Sequence, residues 1–181
     1  MIIIGLFFLS EGILFSIYCL HPEWNENIKF GATVLAAAFA LFEFLQKTQH
    51  DRFESAGEFI KRWNDPVIDS VRKEVRSILT DALLLEPLIR KSENHVFNQD
   101  QKDKRSQLIG VLNFFEELAL AVHKKRADER YLYDFFSVTV KMVWTKFTPW
   151  IDADRRFGDA SYWDEFEALA KRWGKEPPWW I

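Results

Sequence analysis

A single cysteine, Cys19, is all the thiol this chain has, so no internal disulfide can form. Seven glycines are too few and too scattered to build a glycine-rich loop around a phosphate. The four histidines, His21, His50, His95 and His123, share no metal-ligand spacing with one another, with the cysteine or with an acid. No nucleophile elbow and no Cys–His pairing occurs, and Ser137 and Thr139 fall inside a helical pattern as packing residues. No stretch alternates polar and apolar residues well enough to make a strand. These absences argue against an enzyme, a metal centre and a bound cofactor, and they point to an all-α fold.

Charge is also missing from one part of the chain. Residues 1–45 hold one basic residue, Lys29, and four acids, Glu11, Glu23, Glu26 and Glu43. Residues 46–181 hold the other 23 basic and 23 acidic residues, a dense but neutral balance. A neutral domain lacks the basic face that general nucleic-acid binding needs. The residues before Cys19, Ser16-Ile17-Tyr18, lack the small side chains of a lipoprotein processing site. The absence of a basic leader region and of a small-x-small site argues against a cleaved signal.

What is present at the N-terminus is apolar. Ile2 to Leu20 gives 19 residues with one charge, roughly 28 Å as a helix and close to the hydrocarbon thickness of a bilayer. A polar turn with Pro22 and Trp24 follows over 21–27, then an 18-residue apolar run over 28–45. The two runs predict a transmembrane hairpin in the lipid bilayer, with spans at about 2–20 and 28–45. The turn has two Glu and no Lys or Arg, whereas Lys47, Arg52, Lys61 and Arg62 follow the second span. Positive charge stays inside, so both termini are expected in the cytoplasm, at the inner membrane of a bacterium.

Ala32, Ala36 and Ala40 form a small-residue stripe with Glu43 on nearly the same face, and such stripes let helices approach closely. Glu11 is an acid inside an apolar span, where an ionised carboxylate costs at least ~3 kcal/mol. Three roles stay open for it: a neutral interhelical hydrogen bond, a lining for an ion path, or a tolerated accident. This stripe, and Gly5, Gly12 and Ser16 close to one face of the first run, serve either the hairpin itself or a homo-oligomer.

Beyond residue 45, Phe53, Ala56, Ile60 and Trp63 keep a heptad-like spacing and predict a helical stalk over 46–63. Asn64-Asp65-Pro66 ends it and caps the next helix, opening a bundle over 64–175. Residues 91–103 read as an exposed loop. Leu108, Leu112, Phe115, Leu118 and Val122 predict a helix from about Lys104 to Lys125. Asp128 caps another helix, with Leu132, Phe135, Phe136, Val140 and Val143 expected in the core and a break or kink at Thr148-Pro149. Ser161 and Asp164 resemble a capping box for a last helix that Gly174 ends, before a tail over 176–181. The expected architecture is an N-terminal two-helix transmembrane hairpin continuing into a cytoplasmic helical bundle.

"VLNFFEELALAV", "RADERYLYDFF", "WTKFTPWIDADRR" and "YWDEFEALAKRW" together resemble a family of small bacterial membrane-anchored helical proteins, the domain of unknown function 4760. The likeness covers roughly residues 45–173. Its motifs are Asn113, Glu116 and Glu117 on one helix, the Asp128 cap, an arginine (Arg155 or Arg156) after a proline-containing break, and a helix ending in Trp. The resemblance implies a fold and says little about activity.

Candidate chemistry is thin. Glu116 and Glu117 adjoin an apolar face, and Glu116 shares a helical side with His123, which suits an acid–base pair. A structural polar network with Asn113, with Arg62 or Arg155 as ion partner, is the plainer reading. Lys124, Lys125 and Arg126, with Arg155 and Arg156, form short basic clusters amid acids. They read as solvated faces, or as a site for a small phosphorylated ligand with Trp150 stacking on a base. Two functions follow besides that of an enzyme using Glu116 or Glu117 as its base. One is a membrane-anchored oligomeric sensor or effector that binds a signal such as a nucleotide second messenger and acts on the inner membrane, as in anti-phage defence. The other is a passive, membrane-tethered protein-interaction module.

Overall fold

The computed structural model describes residues 25–175, all of whose regular elements are helical. Helix α1 runs Asn25–Trp63, α2 Pro66–Thr80, α3 Ala82–Leu85, followed by a 3-10 turn Glu86–Leu88. Then come α4 (Gln99–His123), α5 (Glu129–Phe157) and α6 (Asp164–Lys175). The chain divides into two compact units, 1–48 and 49–181. The stretch 2–20 expected as a first span, with Glu11, and the tail over 176–181 lie outside the described residues.

In the first unit, α1 leaves its apolar residues bare. Phe30, Val34, Leu35, Leu41, Phe42, Phe44 and Leu45 are all exposed. Among the described residues this is the one helix long and apolar enough to cross a membrane, and none of its apolar window is buried. Ala36, Ala40 and Glu43 are exposed as well, and Ala32 is half-buried.

The second unit takes in the last 15 residues of α1, so most of the stretch expected as a stalk counts with the bundle. Ala56 and Phe59 are buried in its core, and Ile60 and Trp63 pack against it. Trp63 meets Phe114, Phe115 and Phe136 at 5.1, 5.2 and 5.8 Å between ring centroids. The α4 backbone is the centre of the bundle. It packs against α6, α2 and the 3-10 turn, and α6 packs in turn on α5. The α4 face expected in the core is there: Leu108, Leu112, Phe115, Leu118 and Val122 are all buried.

Four local expectations change. First, α4 begins at Gln99, inside the stretch read as a loop. Asn98 accepts from the Gln101 N–H (2.8 Å) while the Gln101 side chain accepts from the Asn98 N–H (3.0 Å), a full capping box within polar residues. Second, α5 passes through Pro149 without ending. Proline removes one helical donor, but Phe147, Trp150 and Ile151 on either side are completely buried and hold the helix in register. Third, the turn before α6 is organised by Asp159, whose carboxylate takes both the N–H (2.8 Å) and the hydroxyl (2.7 Å) of Ser161. The helix also continues past Gly174 to Lys175. Fourth, Phe135 is 44% exposed rather than buried. Its neighbour Phe136 takes the core position, and successive helical residues point about 100° apart.

Candidate functional site

The end of α1, the start of α2 and the middle of α4 enclose an open groove. At the C-terminus of α1 the chain turns sharply, with the Asn64 N–H on Ile60 O (3.1 Å) and the Asp65 N–H on Arg62 O (3.2 Å). Pro66 then starts α2, where its missing N–H costs nothing, and Asp65 O accepts from Asp69 N–H (2.9 Å). Facing this corner, α4 presents Gly110, Asn113, Phe114 and Glu117, which lie on one side of a helix by their spacing. With Arg62, Asp65 and Ile68 they line a groove of about 510 Å³.

Arg62 bridges the groove. Its two terminal nitrogens donate to the two oxygens of Glu117, both at 2.9 Å, in a forked pair. The guanidinium also lies 5.6 Å from the ring centroids of Phe59 and Phe114. The pair shifts both partners in the charge-favouring direction. The Arg62 hydrogen bond holds the Glu117 carboxyl below its usual range, and Glu117 raises the Arg62 guanidinium.

The rest of the Asn113–Glu117 segment organises α6. Asn113 Oδ1 accepts from the Trp163 indole N–H (3.0 Å). Glu116 accepts from the backbone N–H groups of Glu165 (3.3 Å) and Phe166 (2.7 Å), the open donors of the first turn of α6. A carboxylate from one helix thus caps another, where the helix dipole favours negative charge. Burial outweighs this and pushes the Glu116 carboxyl above its usual range. Trp163, the residue before α6, has φ of 58°, a left-handed conformation rare for a large side chain. Its bond to Asn113 and its contact with Trp150 (5.5 Å) hold it there. His123 pairs with Glu165 (2.7 Å), so the Glu116–His123 acid–base arrangement does not form.

The residues considered for an anionic ligand are not gathered into one pocket. Trp150 is fully buried and donates its N–H to Leu88 O (2.9 Å), so it has no face to offer a base. Arg155 is committed to Glu167, to Asp164 (3.0 Å) and to the carbonyl of Tyr162 (2.8 Å). Lys124, Lys125, Arg126 and Arg156 are exposed. Among the described residues no group of three or more His, Cys, Asp or Glu is placed to hold a metal.

The strongest polar feature is one that the sequence reading passed over. Arg105 and Asp154, 7% and 4% exposed, form an ion pair inside the bundle, with Nη2 at 2.6 and 2.9 Å from the two carboxylate oxygens. Arg105 also donates to Leu88 O (2.5 Å) and lies 4.3 Å from the Phe97 and 4.8 Å from the Trp150 ring centroid. The signal was available. Arg105 sits three before Leu108, and Asp154 three after Ile151, so each falls in the buried register of its helix.

Two outcomes follow from these contacts. Gly110 lies within α4, and a Cβ added there meets nothing within 4 Å. Gly110→Ala is expected to stabilise the bundle by about 0.4–1 kcal/mol through helix propensity and the unfolded chain, a gain readable by urea unfolding. The second concerns pH. Hydrogen bonds from Lys171 and then Arg155 hold the Glu167 carboxyl below its usual range. A carboxyl lowered in the folded state stabilises the fold above the unfolded carboxylate range, and that stability fades as the pH falls through the folded value. Glu116, raised by burial, has the opposite sign: its contribution is present at low pH and declines as the pH rises through its folded value. Because Glu167 and Glu117 are both lowered while Glu116 is raised, unfolding midpoints measured from neutral to acid pH should fall, and Glu167→Gln should flatten the acid limb. An unchanged limb would remove Glu167 from the account.

A helical bundle built around an aromatic core, carrying one long apolar helix, is the class that this fold defines. The chain belongs to the family described as a domain of unknown function (DUF4760), whose model matches residues 30–173. That match takes in most of the bare apolar part of α1. No curated protein and no solved structure was found to match the chain.

Proposed function

We propose that this protein is a membrane-anchored interaction module whose bundle holds a partner protein at the bilayer. One observation carries the reading. Helix α1 is apolar and bare over the stretch from Phe30 to Leu45, yet the same helix places Ala56 and Phe59 in the bundle core. An apolar helix without protein cover suits lipid. In this reading 28–45 is the second span of a hairpin begun at 2–20, and both termini are cytoplasmic at a bacterial inner membrane. The Arg62–Glu117 groove, open and of mixed polarity, suits a segment of a partner better than an enclosed small molecule. The test is carbonate extraction of membranes holding the full chain, with a C-terminal reporter active only in the cytoplasm. Retention with an active reporter is expected. Release into the soluble fraction, or a silent reporter, would overturn the reading.

A second reading rests on Ala36 and Ala40, exposed with half-buried Ala32 along α1. Small residues four apart favour helix–helix association in lipid. That supports an oligomeric sensor or effector acting on the membrane, with anti-phage defence as one setting and a phosphorylated small molecule as one signal. Glu11→Leu discriminates. If toxicity or membrane leakage on induction survives it unchanged, the intramembrane acid plays no part in such an output.

A further inference from the structure

The outer face of α5 carries an apolar stripe, and Phe135, expected in the core, belongs to it. Phe135, Val138 and Met142 are 44%, 74% and 43% exposed. Their spacing, three then four, places them in one stripe along the helix, as in a coiled-coil seam. At the N-terminal end Phe53 of α1, itself exposed, stacks on Tyr131 at 4.5 Å and extends the apolar surface. Contiguous exposed apolar patches of this kind mark interaction sites.

The charges beside the stripe identify what covers it. Asp134 and Lys141 lie two turns apart on the same flank, while Lys146 lies on the other. Asp134 is exposed, Lys141 half-buried, and neither enters a salt bridge among the described residues. When two identical helices pack antiparallel, like flanks face each other. Asp134 of each copy then meets Lys141 of the other, on both sides of a two-fold axis near Val138. When they pack parallel, opposite flanks meet and Lys141 faces Lys146, a like-charge contact. Flanking charges of this sort set partner and orientation in helix pairs, and a two-fold interface requires a self-complementary surface.

We infer that the α5 stripe Phe135–Val138–Met142 is a homodimer interface, in which a second copy of this chain packs antiparallel across Val138 with reciprocal Asp134–Lys141 ion pairs. The interface belongs to the bundle and does not depend on association of the membrane spans or on the groove.

The test uses the full chain in nanodiscs, with Cys19→Ser to remove the native thiol. Val138→Cys, at the axis, should oxidise to a disulfide-linked species of twice the 21.5 kDa chain mass. Its yield should exceed several-fold that of Lys102→Cys, an exposed position on α4. Adding Asp134→Lys to Val138→Cys should abolish most of the link, and adding Lys141→Asp as well should restore it. Equal yields at Val138 and Lys102 would overturn the proposal, as would a link indifferent to Asp134→Lys. A dimer in which the charge swap fails to rescue would overturn the antiparallel arrangement. Oligomers detected by mass with no link through Val138 would assign association to the spans and leave α5 to a different protein.

Discussion

Asp154→Ala is expected to cost the bundle about 3–5 kcal/mol, because it strands the Arg105 guanidinium inside the fold without its counter-ion. Arg105 has no easy escape. It is fixed at one end by Leu88 O and lies beside the rings of Phe97 and Trp150. Water would have to enter the core, or the Leu88–Phe97 cover would have to open. The same reasoning gives an asymmetry. Replacing both partners with apolar residues, Arg105→Met with Asp154→Leu, removes the stranded charge and should recover most of the loss, since a buried pair and an apolar filling of similar size are often close in stability. Leu88 O would keep the Trp150 indole as a donor. Urea unfolding of the single and double variants checks both statements. A single variant within about 0.5 kcal/mol of the parent would behave like an ordinary surface change, and the pair would then contribute little to holding the turn over α4.

If α1 is the span proposed above, Val34→Lys combined with Leu41→Lys is expected to abolish its insertion. Each lysine at mid-span costs about 2.5–3.5 kcal/mol on insertion scales, so the two together oppose insertion by roughly 5–7 kcal/mol. Both positions are exposed and belong to the first unit, outside the buried cluster of the bundle, so the bundle itself should fold unchanged. The expected result is relocation of one terminus across the membrane, since the span at 2–20 can still anchor the chain, with the helical signal of the bundle retained. A double variant that stays in the membrane with both its N- and C-termini still cytoplasmic would overturn a span at α1.

Periodicity made the interior of the bundle legible. The α4 stripe from Leu108 to Val122 and the Asp128 cap, whose carboxylate accepts from Tyr131 N–H at 2.9 Å, both stand as read. Boundaries were less legible wherever tertiary contacts outweigh local preference. Pro149 signals a helix end, yet the buried residues around it carry α5 eight residues further, to Phe157. The Asn98–Gln101 box was hidden because its whole neighbourhood is polar and apolar spacing gives no warning of it. At the candidate groove, the acids of α4 were visible as a polar group on an apolar helix, and Arg62 was one of the two partners considered. Their division of labour was not visible. Whether Glu116 pairs with an arginine or caps a helix depends on where α6 docks, which no local pattern encodes. The Arg105–Asp154 pair was overlooked for a related reason: charged residues read as surface until two helices are seen to face each other.

Glu116 has a consequence for the order of assembly. Helix α6 has 12 residues, about the length at which an isolated helix is marginal in water. Its open N–H donors are satisfied by a side chain 49 and 50 residues earlier in the chain. The segment therefore has little reason to become helical before α4 exists as a docking surface. Closing that long loop is an entropic cost that only docking repays. Helix α6 is therefore expected to fold late, closing the bundle by placing Phe166 against Phe115 (5.2 Å) as its own first turn gains a cap. A chain lacking docked α6 would leave the Phe115 side of the core open to water, and that exposed ring is the expected point of aggregation.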